Sequence, residues 1–278
     1  MRTGCGKRKH DNCSRHHATQ LVLLVLVVAA VACGRGATTI QGSRIVHFTI
    51  HSGFVHESLS ETAVVPPGKG RRGLLVFLHG RGSSPDDLLW TELSTGLRSL
   101  GRRAPIVLLA NGGDHSYYHN RRDGKWRSYV MREVIPGALK KVHADAGRVA
   151  IGGVSMGGFG ALDLARLAPG RFCAVGGHSA ALWRTGGETA PGAFDDAEDF
   201  ARHDLFAAAR RGNPYGKTRV WMDVGTADPF RSADTSFAGL LRSHGARARF
   251  HIWSGSHGPT YWRAHVGGYL RFYADACR

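Results

Sequence analysis

One stretch of the chain decides the fold: Arg148-Val149-Ala150-Ile151-Gly152-Gly153-Val154-Ser155-Met156-Gly157-Gly158-Phe159-Gly160-Ala161-Leu162. A short β-branched, apolar run leads into Ser155, and an apolar run with helical character leads out of it toward Pro169-Gly170. This pattern predicts a strand, a sharp turn and a helix. The glycines beside Ser155 permit the strained backbone of such a turn, so the serine hydroxyl is expected to be exposed where the strand ends.

Beyond this stretch, short apolar runs alternate with amphipathic segments. The apolar runs predict strands at residues 45–50, 74–78, 106–110, 149–154, 172–176, 220–224 and 248–253. Helical spacing predicts helices at residues 86–100, 130–143, 156–168, 201–211, 233–244 and 261–276. The alternation indicates an α/β fold with a mostly parallel central sheet, helices on both faces and at most a small cap, for which the acidic segment 183–199 is the candidate.

Two polar residues follow other predicted strands and are candidate partners for Ser155. Asp228 lies in the loop after the strand at 220–224, and His257 lies in the loop after the last strand. Carboxyl ends of parallel strands meet at one edge of a sheet, and a serine hydroxyl needs a positioned base to become a nucleophile. The chain order Ser, Asp, His is that of the α/β-hydrolases. We therefore predict a catalytic triad of Ser155, Asp228 and His257, with Asp223, inside its strand, as the alternative acid.

A triad of this kind needs hydrogen-bond donors for the negative oxygen that forms during acyl transfer. The strand at 74–78 is followed by His79-Gly80-Arg81-Gly82, a glycine-bearing loop at the same sheet edge. We expect the backbone N–H groups of Arg81 and of Met156, the residue after the serine, to form this oxyanion hole.

The N-terminus has the pattern of a targeting segment. Five basic residues precede an apolar run at 21–32, which is shorter than a membrane span. The run ends in Ala30-Val31-Ala32-Cys33, which resembles a bacterial lipobox, so Cys33 is the expected lipidation site. We predict a signal peptide at 1–33, a linker at 34–43 and the catalytic domain at 44–278. The protein would be exported and lipid-anchored to the outer face of the membrane; secretion after cleavage near Ala32 is the alternative.

Beyond the leader, Cys173 and Cys277 are the remaining cysteines. In an oxidising compartment they would form a disulfide, although two separate buried thiols fit the sequence equally well. The formal net charge is +16, with 30 Arg and 7 Lys spread along the chain. No basic run interleaved with aromatic residues appears, which argues against a nucleic-acid partner.

The combined motifs resemble the putative-esterase branch of the α/β-hydrolase fold, which includes esterase D (S-formylglutathione hydrolase), feruloyl and acetyl-xylan esterases, and the antigen 85 mycolyltransferases. The resemblance runs from about residue 74 to the C-terminus. It rests on Leu78-His79-Gly80, on residues 111–118 with Trp126 and 133–136, on the Ser155 motif, on residues 225–230 and on residues 257–262. It implies a cofactor-free serine esterase or acyltransferase using Ser155, Asp228 and His257.

We therefore expect a serine esterase that hydrolyses a small-molecule, carbohydrate or lipid ester through an acyl-Ser155 intermediate. The alternatives are acyl transfer to a carbohydrate or glycolipid acceptor, and a non-catalytic surface-binding protein on a hydrolase scaffold. No long insertion of the kind that would hold trehalose is recognisable. Aromatic and histidine side chains on loops near strand ends would form the substrate pocket: Tyr117, Tyr118, Trp126, His178 and Trp183. His115 and His119 lie four residues apart but lack a third ligand, so no metal or other cofactor is expected.

Overall fold

The computed structural model describes residues 38–278, so the predicted signal peptide and Cys33 lie outside the described residues. The described chain contains strands β1 (Thr39–Ile40), β2 (Ser43–His51), β3 (Ser58–Val65), β4 (Gly73–Leu78), β5 (Ile106–Ala110), β6 (Asp145–Val154), β7 (Ala174–His178), β8 (Arg219–Gly225) and β9 (Ala248–Trp253). Its helices are α1 (Thr91–Leu100), α2 (Trp126–Tyr129), α3 (Ile135–Lys141), α4 (Met156–Leu167), α5 (Ala197–His203), α6 (Leu205–Arg210), α7 (Arg231–Ser243) and α8 (Pro259–Ala276).

The strands form one sheet in the order β1-β2-β3-β5-β4-β6-β7-β8-β9. The pairs from β5 to β9 are parallel, whereas β1, β2 and β3 join by antiparallel pairing. The predicted mostly parallel sheet is therefore confirmed, and the loops after β4, β6, β7, β8 and β9 all emerge at one edge.

Alternate residues of the central strands face two separate cores, which explains why these strands read as continuous apolar runs. Leu75 and Phe77 of β4 pack in the core covered by α1 and α8. Leu74 and Val76 pack in the core on the opposite face, with α2, α3, α4, α6 and α7. The predicted coverage of both faces by helices is confirmed.

The structure differs from the predicted elements in the antiparallel part of the sheet. Strand β3 was not predicted because four of the first five residues in its sequence, Ser58-Leu59-Ser60-Glu61-Thr62-Ala63-Val64-Val65, are polar. Glu61 and Thr62 are nevertheless buried, since β3 lies between β2 and β5. Residues 39–40, inside the segment predicted as a linker, pair with β2 as β1.

Several helix boundaries also differ from the predictions. The helix expected at 86–100 begins at Thr91, because Trp90 has an extended backbone with ψ of 141°. The helix expected at 201–211 is divided at Asp204, whose side chain accepts a hydrogen bond from the Ala207 amide and caps α6. Between α2 and α3 the chain forms a π-helical turn, Val130–Val134. Pro136 lies two residues after this turn, and its missing N–H and its ring disfavour regular α-helical hydrogen bonding there.

A disulfide bond joins Cys173, just before β7, to Cys277, just after α8, with their Cα atoms 5.3 Å apart. The bond ties the end of the last helix to the start of β7. Among residues 38–278, no helix is both long enough and apolar enough to cross a membrane.

Candidate active site

Ser155 lies between β6 and α4 in a strained backbone conformation, with φ of 54° and ψ of −118°. Such values are rare for a residue with a side chain and are found where the surrounding structure enforces them. Close packing around Gly153 and Gly157, the two glycines of the Gly-x-Ser-x-Gly motif, enforces this conformation. A Cβ atom on Gly157 would lie 2.2 Å from the Leu78 carbonyl oxygen, and one on Gly153 would lie 2.5 Å from the Gly157 carbonyl. The start of α4 can therefore approach β4 only because these residues are glycines.

The structure brings together the three residues that the sequence predicted as a triad. The Nε2 atom of His257 lies 2.8 Å from the Ser155 Oγ, and its Nδ1 lies 2.9 Å from the Asp228 Oδ2. Asp228 extends from the loop after β8 and His257 from the loop after β9, as expected for neighbouring parallel strands. The carboxylate is buried, whereas the imidazole remains 23% exposed and can meet a ligand from solvent.

Asp228 is held in the charged form that this arrangement needs. Burial acts to raise the pKa of its carboxyl, but hydrogen bonding to His257 and to the Phe230 amide outweighs burial and lowers the pKa. The Phe230 N–H donates to the Asp228 Oδ1 at 2.8 Å, which leaves the other oxygen for His257. A carboxylate at Nδ1 keeps the proton on that nitrogen, so Nε2 can accept the proton of the serine.

Two aromatic side chains fix the His257 ring between them, and sequence reasoning did not identify either. Phe230 packs against the imidazole at 5.2 Å between ring centroids, and Trp262 meets it edge to face at 5.3 Å. Both residues belong to segments that carried the family resemblance, 225–230 and 257–262. The family motifs therefore contained both residues, but no local sequence pattern predicted that their rings would contact His257.

Asp223, the alternative acid, has a different set of partners. Its Oδ1 accepts hydrogen bonds from His178 Nδ1 at 2.6 Å and from Trp221 Nε1 at 2.9 Å. Its Oδ2 accepts from the hydroxyls of Tyr261 at 3.0 Å and Tyr269 at 2.8 Å. Four hydrogen-bond donors satisfy both oxygens of this buried carboxylate. Asp223 therefore stabilises the packing between β8 and α8.

The loop after β4 lies against Ser155, as the oxyanion prediction requires. A Cβ atom on Gly80 would be 3.5 Å from the Ser155 Cβ. Within residues 38–278 the Arg81 amide donates no hydrogen bond, and Met156 is the first residue of α4, where amides lack intrahelical acceptors. Both N–H groups are therefore available as donors beside the serine.

His79 fixes this loop in place. It is fully buried, and its Nε2 accepts a hydrogen bond from the Gly112 amide at 3.0 Å. Its Nδ1 must then carry the proton, which it donates to the Gly80 carbonyl at 2.8 Å. Burial lowers the pKa of His79, which keeps the ring neutral and this tautomer stable. The sequence placed His79 in the predicted oxyanion loop and in the family motif, but it assigned no role to the side chain.

Of the predicted pocket residues, Tyr117 and Trp183 lie in an aromatic cluster that reaches the triad. Tyr117 contacts Trp183 at 5.2 Å and Phe194 at 6.2 Å between ring centroids. Trp183 contacts Phe230, the same ring that packs on His257. We call Tyr117, Phe159, Trp183, Phe194 and Phe230 the aromatic cluster.

The structure places the three other predicted pocket residues outside this cluster. Tyr118 is 1% exposed and its hydroxyl donates to the His79 carbonyl, so it supports the loop from beneath. Trp126 packs on Gly113 and Gly124. His178 is fully buried between Asp223 and the Tyr273 hydroxyl. Loop position alone did not distinguish side chains that face the site from those that turn into the core.

His115 and His119, the pair considered as metal ligands, do not come together. His115 is partly exposed and lies beside Asp114, whereas His119 is fully buried and its Nε2 lies 3.1 Å from the Ala193 carbonyl oxygen.

Residues 65–273 match the protein family described as "Putative esterase". The chain belongs to this family. In sequence, Esterase Rv1288 of Mycobacterium tuberculosis is 30% identical over 114 residues, which make up 38% of this chain and 25% of that protein. The chain thus matches about a quarter of the length of its curated relatives.

Solved structures share the architecture of this chain. A ferulic acid esterase superposes with a TM-score of 0.73 and 20% identity, covering 84% of this chain and 99% of that chain. Mycobacterium tuberculosis MPT51 (FbpC1) gives a TM-score of 0.69 at 20% identity, covering 84% and 99%. These similarities show the α/β-hydrolase fold, and the family match confirms the resemblance that the sequence motifs indicated.

Proposed function

We propose that this protein is a serine esterase that hydrolyses carboxylic esters through an acyl intermediate on Ser155. The single observation that carries the proposal is the continuous hydrogen-bonded series from Ser155 Oγ through His257 to the Asp228 carboxylate. Membership of an esterase family supports the same reaction class.

In the proposed reaction, Ser155 Oγ attacks the ester carbonyl carbon while His257 Nε2 takes the hydroxyl proton. The carbonyl oxygen becomes an oxyanion, and the amides of Arg81 and Met156 donate to it. When the tetrahedral intermediate collapses, the C–O bond to the alcohol breaks and His257 returns the proton to the departing oxygen. Water, deprotonated by the same nitrogen, then attacks the acyl carbon. The bond from that carbon to Ser155 Oγ breaks, His257 returns the proton to Oγ, and the acid product leaves.

The aromatic cluster is the proposed wall for the acyl or aryl part of a small ester. Phe230 contacts both the His257 ring and Trp183, so the cluster begins at the catalytic histidine. Burial raises the pKa of Tyr117, although the Arg81 guanidinium nearby opposes this, so the hydroxyl remains protonated and can donate to a polar substrate atom.

Hydrolysis of p-nitrophenyl acetate and butyrate tests the proposal. Ser155→Ala should reduce kcat by at least about 10⁴-fold, as loss of the nucleophile does in serine hydrolases. Ser254→Ala is the matched control, because Ser254 is exposed in the loop that carries His257 and makes no contact in the proposed mechanism. Turnover retained in Ser155→Ala would exclude the acyl-serine mechanism.

We further propose that the protein is exported, with residues 1–33 acting as the signal peptide and Cys33 as the lipidated residue. The disulfide between Cys173 and Cys277 supports an oxidising compartment. Intact-mass analysis of the protein from its natural host tests this: a diacylglycerol adduct on Cys33 is expected, while an unmodified mature chain would indicate plain secretion.

A further inference from the structure

A second cluster of polar side chains lies beside the aromatic cluster and takes no part in the proposed reaction. His119, Asp199 and His203 are all buried, and one ligand atom from each lies within 4.8 Å of the others. His119 belongs to the loop after β5, whereas Asp199 and His203 are four residues apart on α5 and so share one face of that helix. The cluster therefore joins two segments that are far apart in sequence.

The hydrogen bonding of His119 points its free nitrogen into the cluster. Its Nε2 lies 3.1 Å from the Ala193 carbonyl oxygen, which can only accept, so Nε2 carries a proton. In the neutral ring, Nδ1 then presents a lone pair. That atom is buried without a hydrogen-bond partner among the described residues, and it lies 3.5 Å from the Asp199 Oδ2. A lone pair facing a carboxylate oxygen is unfavourable unless a cation lies between them.

His203 is oriented in the same way by a second carboxylate. Its Nδ1 lies 2.7 Å from the Asp163 Oδ2, which fixes the proton on Nδ1 and directs Nε2 toward Asp199. The Nε2 atom lies 3.8 Å from the Asp199 Oδ1. A carboxylate that orients a histidine from behind is the usual outer partner of a metal-binding imidazole. Asp163 is itself fixed by the Arg166 guanidinium at 2.6 Å.

We propose that His119 Nδ1, Asp199 and His203 Nε2 bind one divalent transition-metal ion, with Zn²⁺ as the best fit to two imidazoles and one carboxylate. Zinc favours this ligand set in a tetrahedral site, with bonds of about 2.0–2.2 Å that place ligand atoms about 3.4 Å apart. The approaches to the carboxylate, 3.5 Å from His119 Nδ1 to Asp199 Oδ2 and 3.8 Å from His203 Nε2 to Asp199 Oδ1, are close to this spacing, and the three ligand atoms all lie within 4.8 Å of one another. A water molecule would complete the fourth position.

The bound ion would act on the shape of the substrate wall, and its position gives it no part in the acyl chemistry. His119 stacks on Phe194 at 5.1 Å between ring centroids, and Phe194 packs on Tyr117 and Trp183 of the aromatic cluster. Metal binding would therefore tie α5 and the loop after β5 together around this wall. The site explains why two histidines from distant segments meet in the core with a single carboxylate between them.

Zinc titration of the full chain, first stripped with a chelator and dialysed, tests the site. Elemental analysis should find one zinc per chain after removal of free ion. The melting temperature should rise by about 5–10 °C when free Zn²⁺ exceeds its dissociation constant about 100-fold. Co²⁺ in place of Zn²⁺ should give the visible absorption of a tetrahedral nitrogen and oxygen site.

Variants separate this site from general binding by surface histidines. His119→Phe retains the stacking on Phe194 but removes one ligand, and Asp199→Asn removes the charged one; both should lose the bound zinc and the rise in melting temperature. Asp163→Asn, which changes only the partner behind His203, should weaken binding about 10–100-fold. The matched control is His115→Ala, from the same loop as His119 but partly exposed, and it should bind zinc as the wild type does.

Circular dichroism of each variant in the presence of chelator shows whether the metal-free variant folds. If a variant does not fold, the Co²⁺ spectrum of the wild type alone tests the site. A wild type that retains no zinc and shows no tetrahedral Co²⁺ spectrum would overturn the proposal, as would equal zinc affinity in folded His119→Phe.

Discussion

The Nδ1 atom of His178 lies 2.6 Å from the Oδ1 of Asp223. This buried pair distinguishes the roles of Asp223 and Asp228, the two aspartates that the sequence offered as triad acids. Asp223 is committed to the core by four hydrogen-bond donors, while Asp228, five residues later, reaches His257. Because β8 ends at Gly225, only the later aspartate lies in a loop that can reach His257 in the loop after β9.

The two aspartates should respond to amide substitution in opposite ways. Asp228→Asn should lower kcat about 10⁴-fold with little loss of stability, because the wrong tautomer of His257 can no longer accept the serine proton. Asp223→Asn should leave kcat of the folded protein within about tenfold but lower the free energy of unfolding by about 3 kcal/mol, since it disrupts a buried network. Ester hydrolysis and urea unfolding measure the two effects. A kcat loss confined to Asp223→Asn would transfer the role to that residue.

Glycine substitutions test the packing that forces the conformation of Ser155. Gly157→Ala should destabilise the fold by more than about 3 kcal/mol, because its Cβ would lie 2.2 Å from the Leu78 carbonyl oxygen. Gly239→Ala, in α7, is the control: nothing lies within 4 Å of its added Cβ, and the change should stabilise by about 0.5–1 kcal/mol. Chemical denaturation compares them, and equal stabilities would show that α4 does not depend on this close approach.

Glu61 should make stability depend on pH. Burial raises the pKa of its carboxyl from 4.5 to about 8. Hydrogen bonds from the Tyr129 hydroxyl and the Asn111 amide lower the pKa, but burial outweighs them. The folded protein therefore keeps a proton that the unfolded chain releases above pH 4.5. This contribution is fully present below pH 4.5 and is lost as pH rises toward 8, with a slope of up to about 1.4 kcal/mol per pH unit.

Glu61→Gln should flatten that dependence, because a neutral amide replaces the protonated carboxyl. Unfolding free energies measured at several pH values between 4.5 and 8 provide the test. If the free energy of unfolding of Glu61→Gln falls with pH as steeply as that of the wild type, the pH dependence comes from a group other than Glu61.

The disulfide should contribute strongly because it closes a long loop. Cys173 and Cys277 are 104 residues apart, and a loop of that length corresponds to about 4–5 kcal/mol in the chain-entropy description. Cys277→Ser should lower the free energy of unfolding by about 2–5 kcal/mol. Reductant should destabilise the wild type to the same extent and leave the variant unaffected; a wild type indifferent to reductant would contradict this account.

The parallel part of the fold could be predicted because each of its strands is buried on both faces and is therefore apolar throughout. The same reasoning located Ser155, Asp228 and His257, since their positions follow from where strands end. Strand β3 could not be predicted, because the partners of its buried Glu61 are Tyr129 of α2 and the Asn111 amide just after β5, which no local pattern reveals.

The direction in which loop side chains point was the other feature that could not be predicted from the sequence. Tyr117 and Tyr118 are adjacent and both have positive φ, yet one joins the aromatic cluster and the other supports the loop after β4. The proposed metal ligands were missed for the same reason. His119 was considered with its sequence neighbour His115, whereas its partners in space lie on α5, about 80 residues away.

The measurement that tests the central claim most directly is covalent labelling with a fluorophosphonate probe, followed by intact-mass analysis and peptide mapping. The geometry at Ser155 and His257 predicts one adduct per chain, on Ser155, and none in Ser155→Ala. His257→Gln should label far more slowly, because the base that activates the serine is gone. A chain that stays unlabelled, or an adduct on any other residue, would contradict the assignment of Ser155 as the nucleophile.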